Sequence, residues 1–229
     1  MRPVLHLRRQ HVCCANWAVG SDLLDVHLPS VLTVDTDDGD AWLSAVPFTN
    51  VDTRPTWAFE GRGFPLPGPT LRNHVSHDGH TGVSFSGLDA HAVLGVVGAC
   101  LFHYFPSCYA CCLLTEADGG IRVRSGRSHL GARHPQFTPT DSPSSPELDV
   151  RLGWLEESLT EHCWYDTEAR DGSLRYAAIG HEAWPLYETD PTIETNTLFE
   201  ANGFAPTETE VVHYASPGVR TTASRNRRG

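Results

Sequence analysis

The sequence contains no lysine. All 17 basic residues among its 229 are arginine, set against 28 acidic ones, for a formal net charge of −11. That absence excludes chemistry needing a side-chain primary amine, above all Schiff-base formation with a ketone. The acidic balance argues against nucleic acid or an anionic membrane as a partner, because both would repel it. Long apolar runs are missing too. The longest, AVLGVVGACLF from Ala92, is too short to cross a bilayer, and the opening MRPVLHLRRQ lacks the apolar core of a secretory signal. Seven cysteines, an odd number with the adjacent pairs Cys13–Cys14 and Cys111–Cys112, do not form a disulfide framework. A soluble, cytoplasmic protein is expected. A salt-loving host and GC-rich coding bias would each favour an acidic chain that uses only arginine.

With 40% hydrophobic and 20% charged residues, a chain of this length suits one globular domain. That domain is expected over residues 1–216, with a loose tail over 217–229. DAWLSAVPF (Asp40–Phe48) follows the turn formers DTDDG and reads as a strand. GRGFPLPGP (Gly61–Pro69) reads as a loop. LRNHV and GVSFSGL flank Asp78–Gly79, a hairpin signal. Asp89 is placed to cap a helix reaching Tyr104, with Val93, Val96, Val97, Cys100 and Leu101 at helical spacing and Pro106 beyond. A second hairpin turns at Asp118–Gly119–Gly120. PQFTPTDSPSSPE (Pro135–Glu147) reads as a polar loop, and DVRLGWLEESLTEH as an amphipathic helix. SLRYAAIGHEAWPL and TEVVHYA read as strands, with a short helix in NTLFEANGF stopped by Gly203. The pattern predicts a mainly β (α+β) fold: a curved antiparallel sheet or a closed β-barrel with a few short helices.

Cys100, His103, Cys108, Cys111 and Cys112 crowd into thirteen residues and resemble a zinc site. Strand alternation opposes this. Cys108 and Cys111 would fall on different faces, as would Cys111 and Cys112, and no turn brings them together. Buried thiols in a core are the expectation, and no cofactor or metal is implied. His74, His77 and His80 read as exposed residues around the hairpin turn.

Several stretches together resemble the YqjF-like family of domains of unknown function, in the acetoacetate decarboxylase-like superfamily. They are NWAVGSDLLDVHLPSVLTVDTDDGDAWLSAVPF, RNHVSHDGHTGVSFSGLDA, FPSCYA, LTEH, GHEAWPL and VVHYAS, in family order from Trp17 to Ser216. Two positions depart from the pattern. Gly68 stands where the family usually has Glu, and His162 where it has Arg. The superfamily's named chemistry is a lysine Schiff base, which this chain cannot supply.

The candidate ligand-binding residues are Arg72, Glu161, Trp184 and Tyr214. An inward arginine needs an anion, and the two aromatics can wall a pocket. His181 and His213, in apolar strand contexts, are the candidate acid–base groups. Arg72 and at least one of these histidines are expected in one interior pocket. The expected partner is a small anionic or carbonyl compound. It is either bound without reaction or turned over by a lysine-independent enzyme. A zinc-stabilised structural protein is the alternative.

Overall fold

Two-residue turns set the first strand pairings. Asp78 and Gly79 both have positive φ (48° and 78°), and His77 pairs with His80 across them. Asp38 and Gly39 (52° and 93°) turn the chain in the same way between Asp37 and Asp40. Positive φ at both central residues matches the right-handed twist of the flanking strands.

The computed structural model describes residues 2–117, 120–127, 136–141, 159, 163–205 and 211–229. In chain order the strands are β1 (Pro3–Val19), β2 (Thr33–Val34), β3 (Thr36–Asp37), β4 (Asp40–Pro55), β5 (Phe64–His77), β6 (His80–Ala90), β7 (Ser107–Ala117), β8 (Gly120–Arg127), β9 (Gln136–Asp141), β10 (Trp164–Glu168), β11 (Leu174–His181), β12 (Tyr187–Glu188), β13 (Thr192–Asn196), β14 (Val211–Ser224) and β15 (Arg227–Arg228). Seven of them close a ring in the order β1–β4–β5–β6–β10–β11–β14 and back to β1. The expected β-barrel is therefore present. It is not purely antiparallel, because β6 runs parallel both to β10 and to β7, which starts a second sheet, β7–β8–β9–β13. Short helices α1 (Ser21–Asp25), α2 (Val93–Gly98) and α3 (Leu198–Ala201) complete the fold. No helix among the described residues is long and apolar enough to cross a membrane.

Several local expectations need correction. Phe64–Pro69 is strand, not loop, because it pairs with β4. Gln136–Asp141 is likewise strand, paired with β8 and β13. The tail is not loose: β14 runs on to Ser224, held by β1 and β11, and β15 pairs with β11. Asp89 does not cap a helix. It lies in β6 and is 3% exposed, and Ala92 precedes α2 instead. The α2 helix has one turn and a half, then a π-helical turn over Ala99–His103, ended by Tyr104 at φ 57°. Its Val93 and Leu101 are more than half exposed rather than packed. The Asp118–Gly119 turn and the amphipathic helix over 149–162 lie outside the described residues, apart from Leu159, which is fully buried.

Register assigns the two faces of the barrel wall. In β14, Val219, Thr221 and Ala223 are buried and Arg220 is exposed, so the odd positions face inward there. Through pairing, that inner face carries Leu7 and Arg9 of β1 and His181 of β11. Farther along β1 it carries Val12, Cys14 and Asn16. The step of three between Arg9 and Val12 arises at His11, whose φ of 54° is a β-bulge in the β1–β4 ladder. On the outer face, Ala15, Trp17, Leu43, Ala45 and Leu71 pack under α1 and α3 with Leu24, Leu198 and Phe199.

Asp89 ties β6 to the second sheet. Its Oδ1 accepts from Arg127 Nε at 2.7 Å and its Oδ2 from Ser125 Oγ at 3.3 Å, with both ionic side chains buried. Asp89→Asn leaves Arg127 charged and uncompensated, so it should cost about 3–5 kcal/mol in urea unfolding. A loss under about 1 kcal/mol would show that the pair is dispensable.

Two enclosed histidines shape the pH response. Burial holds His103 and His213 below their ordinary 6.5, with Asp190 partly opposing at His213. The unfolded chain therefore takes up these protons first. Their stability contribution is complete above about pH 6.5 and is lost as pH falls toward the lowered folded-state values. Melting temperature should decline between about pH 7 and about pH 5, and His213→Gln should flatten the decline. A profile level over that range would contradict the assignment.

Candidate ligand-binding interior

The interior is built from β1, β4, β5 and β14, and its polar content is dominated by donors. Arg72 on β5 is 8% exposed. Its Nη2 donates to the carbonyl of Leu159 at 2.8 Å, while its Nε is enclosed with no partner among the described residues. Arg9, on the bulged strand, lays its guanidinium 4.9 Å from the Phe48 ring and 6.0 Å from that of Trp184, and its Nε is also without a partner. Both contacts are cation–π in kind. Trp42, 7% exposed, buries an indole N–H that finds no acceptor. Burial, then the like charge of Arg72, lower Arg9 to about 10, with Cys14 acting the other way. Burial lowers Arg72 as well, again opposed by Cys14. Among the described residues no carboxylate pairs with either arginine, although buried cations ordinarily require one.

Beside Arg72 runs a neutral chain. Ser44 pairs with Arg72 in the β4–β5 ladder. Its hydroxyl donates to Asn16 Oδ1 at 2.7 Å and lies 3.0 Å from His74 Nε2. Having spent its one proton on Asn16, Ser44 accepts from His74, which assigns the Nε2–H tautomer to His74. All three residues are at or below 2% exposure.

The candidate residues part company here. Trp184 and Tyr214 share one core with Cys14, Trp42, Phe48 and Leu159, the residue whose carbonyl Arg72 bonds. His181 lies on the inner face at the rim, opposite Thr221, with its ring 6.0 Å from that of Trp184. His181 and Thr221 themselves line an open cleft of about 380 Å³ at that rim, together with Arg8, Arg54, Glu60 and Arg220. His213 does not join them. It pairs with Ala15 on the outer face and meets the edge of Trp17, because alternation turns it away from its inward neighbour Tyr214. Glu161 and His162 lie outside the described residues. His74 is not an exposed turn residue but a buried one, four residues from the turn, where the alternation that buries Arg72 also buries it. Arg9, Cys14, Asn16 and Ser44 have no counterpart among the expected site residues.

Gly68 leaves no room for the family's acid. A Cβ built there would lie 1.7 Å from the Asp89 carbonyl oxygen. The five suspected zinc ligands also separate. Cys100 donates to the Ser107 carbonyl, His103 bonds the Tyr165 hydroxyl, Cys112 meets Ser125, and Cys111 is exposed. No group of three or more His, Cys, Asp or Glu among the described residues is arranged to hold a metal.

Comparison with known proteins agrees with this architecture. The model of the DUF2071 family, described as an uncharacterized conserved protein, matches residues 6–220. The uncharacterized protein YqjF of Bacillus subtilis is 33% identical over 210 residues, covering 89% of this chain and 84% of its own. Acetoacetate decarboxylase of Legionella pneumophila superposes with a TM-score of 0.71 at 12% identity, over 99% of this chain and 87% of that one. The enduracididine biosynthesis enzyme MppR, in complex with pyruvate, gives 0.63 at 12% identity, over 100% and 91%. Sharing its barrel with the acetoacetate decarboxylase-like enzymes and its sequence with YqjF, the chain belongs to the DUF2071 family.

Proposed function

We propose that this protein binds a small carboxylate, carrying a carbonyl group, inside the barrel. One observation carries the reading: the interior holds two guanidinium groups and an indole N–H with unmatched donors and no described carboxylate facing them. An unsatisfied buried donor costs about 1–3 kcal/mol, more when charged, and a ligand oxygen removes that cost. Arg72 holds the anion, Trp184 and Tyr214 form the wall, and Arg9 lies toward the rim near His181. Glu161 remains proposed as a further ligand residue from its place in the LTEH motif. The fold neighbours support the ligand class, since one is an acetoacetate decarboxylase and another was crystallised with pyruvate. Imine chemistry is not part of the reading, because no side chain in the sequence is a primary amine.

A second reading, a lysine-independent enzyme, is favoured by the His74–Ser44–Asn16 chain and by His181 at the rim. Both place a proton-carrying imidazole within the barrel wall, as acid–base work on a bound carbonyl compound requires. His213 drops out of this role through its outward direction.

Calorimetric titration with pyruvate and acetoacetate tests the binding. Arg72→Ala should weaken it by about 1.5–3 kcal/mol, a charge-assisted buried bond. Arg72→Met should leave the ligand-free melting temperature unchanged or higher, since it removes an uncompensated cation. Borohydride should trap neither ketone on the protein. Equal affinity in wild type and Arg72→Ala, or a trapped amine adduct, would sink the reading.

A further inference from the structure

Cys14 is the one thiol facing this donor-lined interior among the described residues. It is 3% exposed, sits on the inner face of β1 opposite Tyr214, and shares a core with Trp42, Phe48 and Leu159. Charge on its sulfur would raise the pKa of both Arg9 and Arg72, so the two guanidinium groups lie within its electrostatic reach. Independently of the thiol, Trp42 Nε1 and the Nε of Arg72 (whose Nη2 bonds Leu159) are enclosed donors, more than nine-tenths buried and without acceptors among the described residues.

Resting on the ligand class proposed above, we propose that the Cys14 thiol is the covalent nucleophile of the barrel, adding reversibly to the carbonyl carbon of a bound 2-oxo acid. The Sγ–C bond forms as the C=O π pair moves onto oxygen, and the thiol proton ends on the new hydroxyl. Nothing leaves and nothing is oxidised or reduced. The product is a hemithioacetal from an aldehyde or a hemithioketal from a ketone. The unmatched donors of Arg72 and Trp42 are available to the oxygen as its charge develops. Carbonyl chemistry in a barrel without lysine then passes from nitrogen to sulfur.

The molecule carries its own control. Cys112 is also buried, at 8%, but its neighbours are Ser125 and Asp89 rather than arginines. Burial, with Asp89 adding to it, pushes the Cys112 thiol up to about 11. Cations favour a thiolate and apolar or acidic surroundings oppose it, so the two thiols should differ in reactivity. Among the described residues, the ionisable side chains on the same inner face are Arg9 from β1, Arg72 and His74 from β5, and Tyr214 from β14. From β4, Trp42 and Ser44 face it and do not titrate.

Native wild-type protein is treated with iodoacetamide at about pH 8.5 and about pH 6.5, and the rate at each cysteine is read by peptide mass spectrometry. An ordinary thiol slows on the order of 50-fold between these values. Cys14 should slow less than about fivefold, and Cys112 should be slow at both. In parallel, [2-13C]glyoxylate should give a sulfur-bound tetrahedral carbon resonance distinct from its hydrate. That signal should vanish in Cys14→Ser and persist in Cys111→Ser. Ordinary pH dependence at Cys14 would overturn the proposal without any variant. So would calorimetric binding of glyoxylate with no sulfur-bound carbon, which leaves the anion-binding reading intact. If glyoxylate, pyruvate and acetoacetate all fail to bind wild type, that reading falls and this proposal with it.

Discussion

Closure of the barrel depends on how near β10 can come to β6. The two strands meet in parallel over Tyr165–Asp166 and Val83–Ser84 only. At Gly82 a side chain would lie 2.8 Å from the Trp164 carbonyl oxygen, so the approach is open to glycine alone. Beyond this short contact β6 leaves β10 and pairs with β7 instead. One strand thus seals the ring with its first half and opens the second sheet with its other half. The Asp89–Arg127 pair sits where these duties change over. Ring closure in turn is what confronts inward residues from strands far apart in sequence.

What it confronts is electrostatically one-sided. A chain with a net charge of −11 keeps two of its arginines in a barrel where no described acid answers them. Such donors weaken the empty protein, and the ligand proposed above, binding only the folded state, would stabilise it by mass action. Preorganised, desolvated donors of this kind are how a small pocket gains affinity from few contacts. Gly68 fits the same balance. A carboxylate there would oppose the interior cations, and the Asp89 carbonyl occupies the space a side chain would need.

Strand alternation and turn chemistry made much of this legible in the sequence. Asp78–Gly79, Gly203 and the strands around Arg72 and Tyr214 follow local rules, and Trp184 and Tyr214 fall in the core of Leu159, whose carbonyl Arg72 bonds. Arg9 and Cys14 were not legible, since a regular strand would have turned Arg8 and Gln10 inward with Cys14. Only the backbone at His11 shows the change of phase. His74 was read with the turn it precedes, because burial at a strand's end depends on what covers it. His213 was misjudged since its apolar setting is real but belongs to the outer core under α3. Asp89 has the form of a helix cap, and its long-range partner Arg127 outweighed that local preference.

The bulge at His11 makes the first strand two rulers joined out of step. The strand keeps its pairing with β14 on either side, yet the joint decides which letters of LHLRRQHV are read by the solvent and which by the barrel interior. With the joint, two leucines and an arginine look in. Without it, a histidine, an arginine and a glutamine would. The character of the barrel's mouth is therefore written in residue count rather than residue identity. A substitution along this segment changes one position of that lining, whereas gaining or losing a single residue would exchange the whole of it at one stroke.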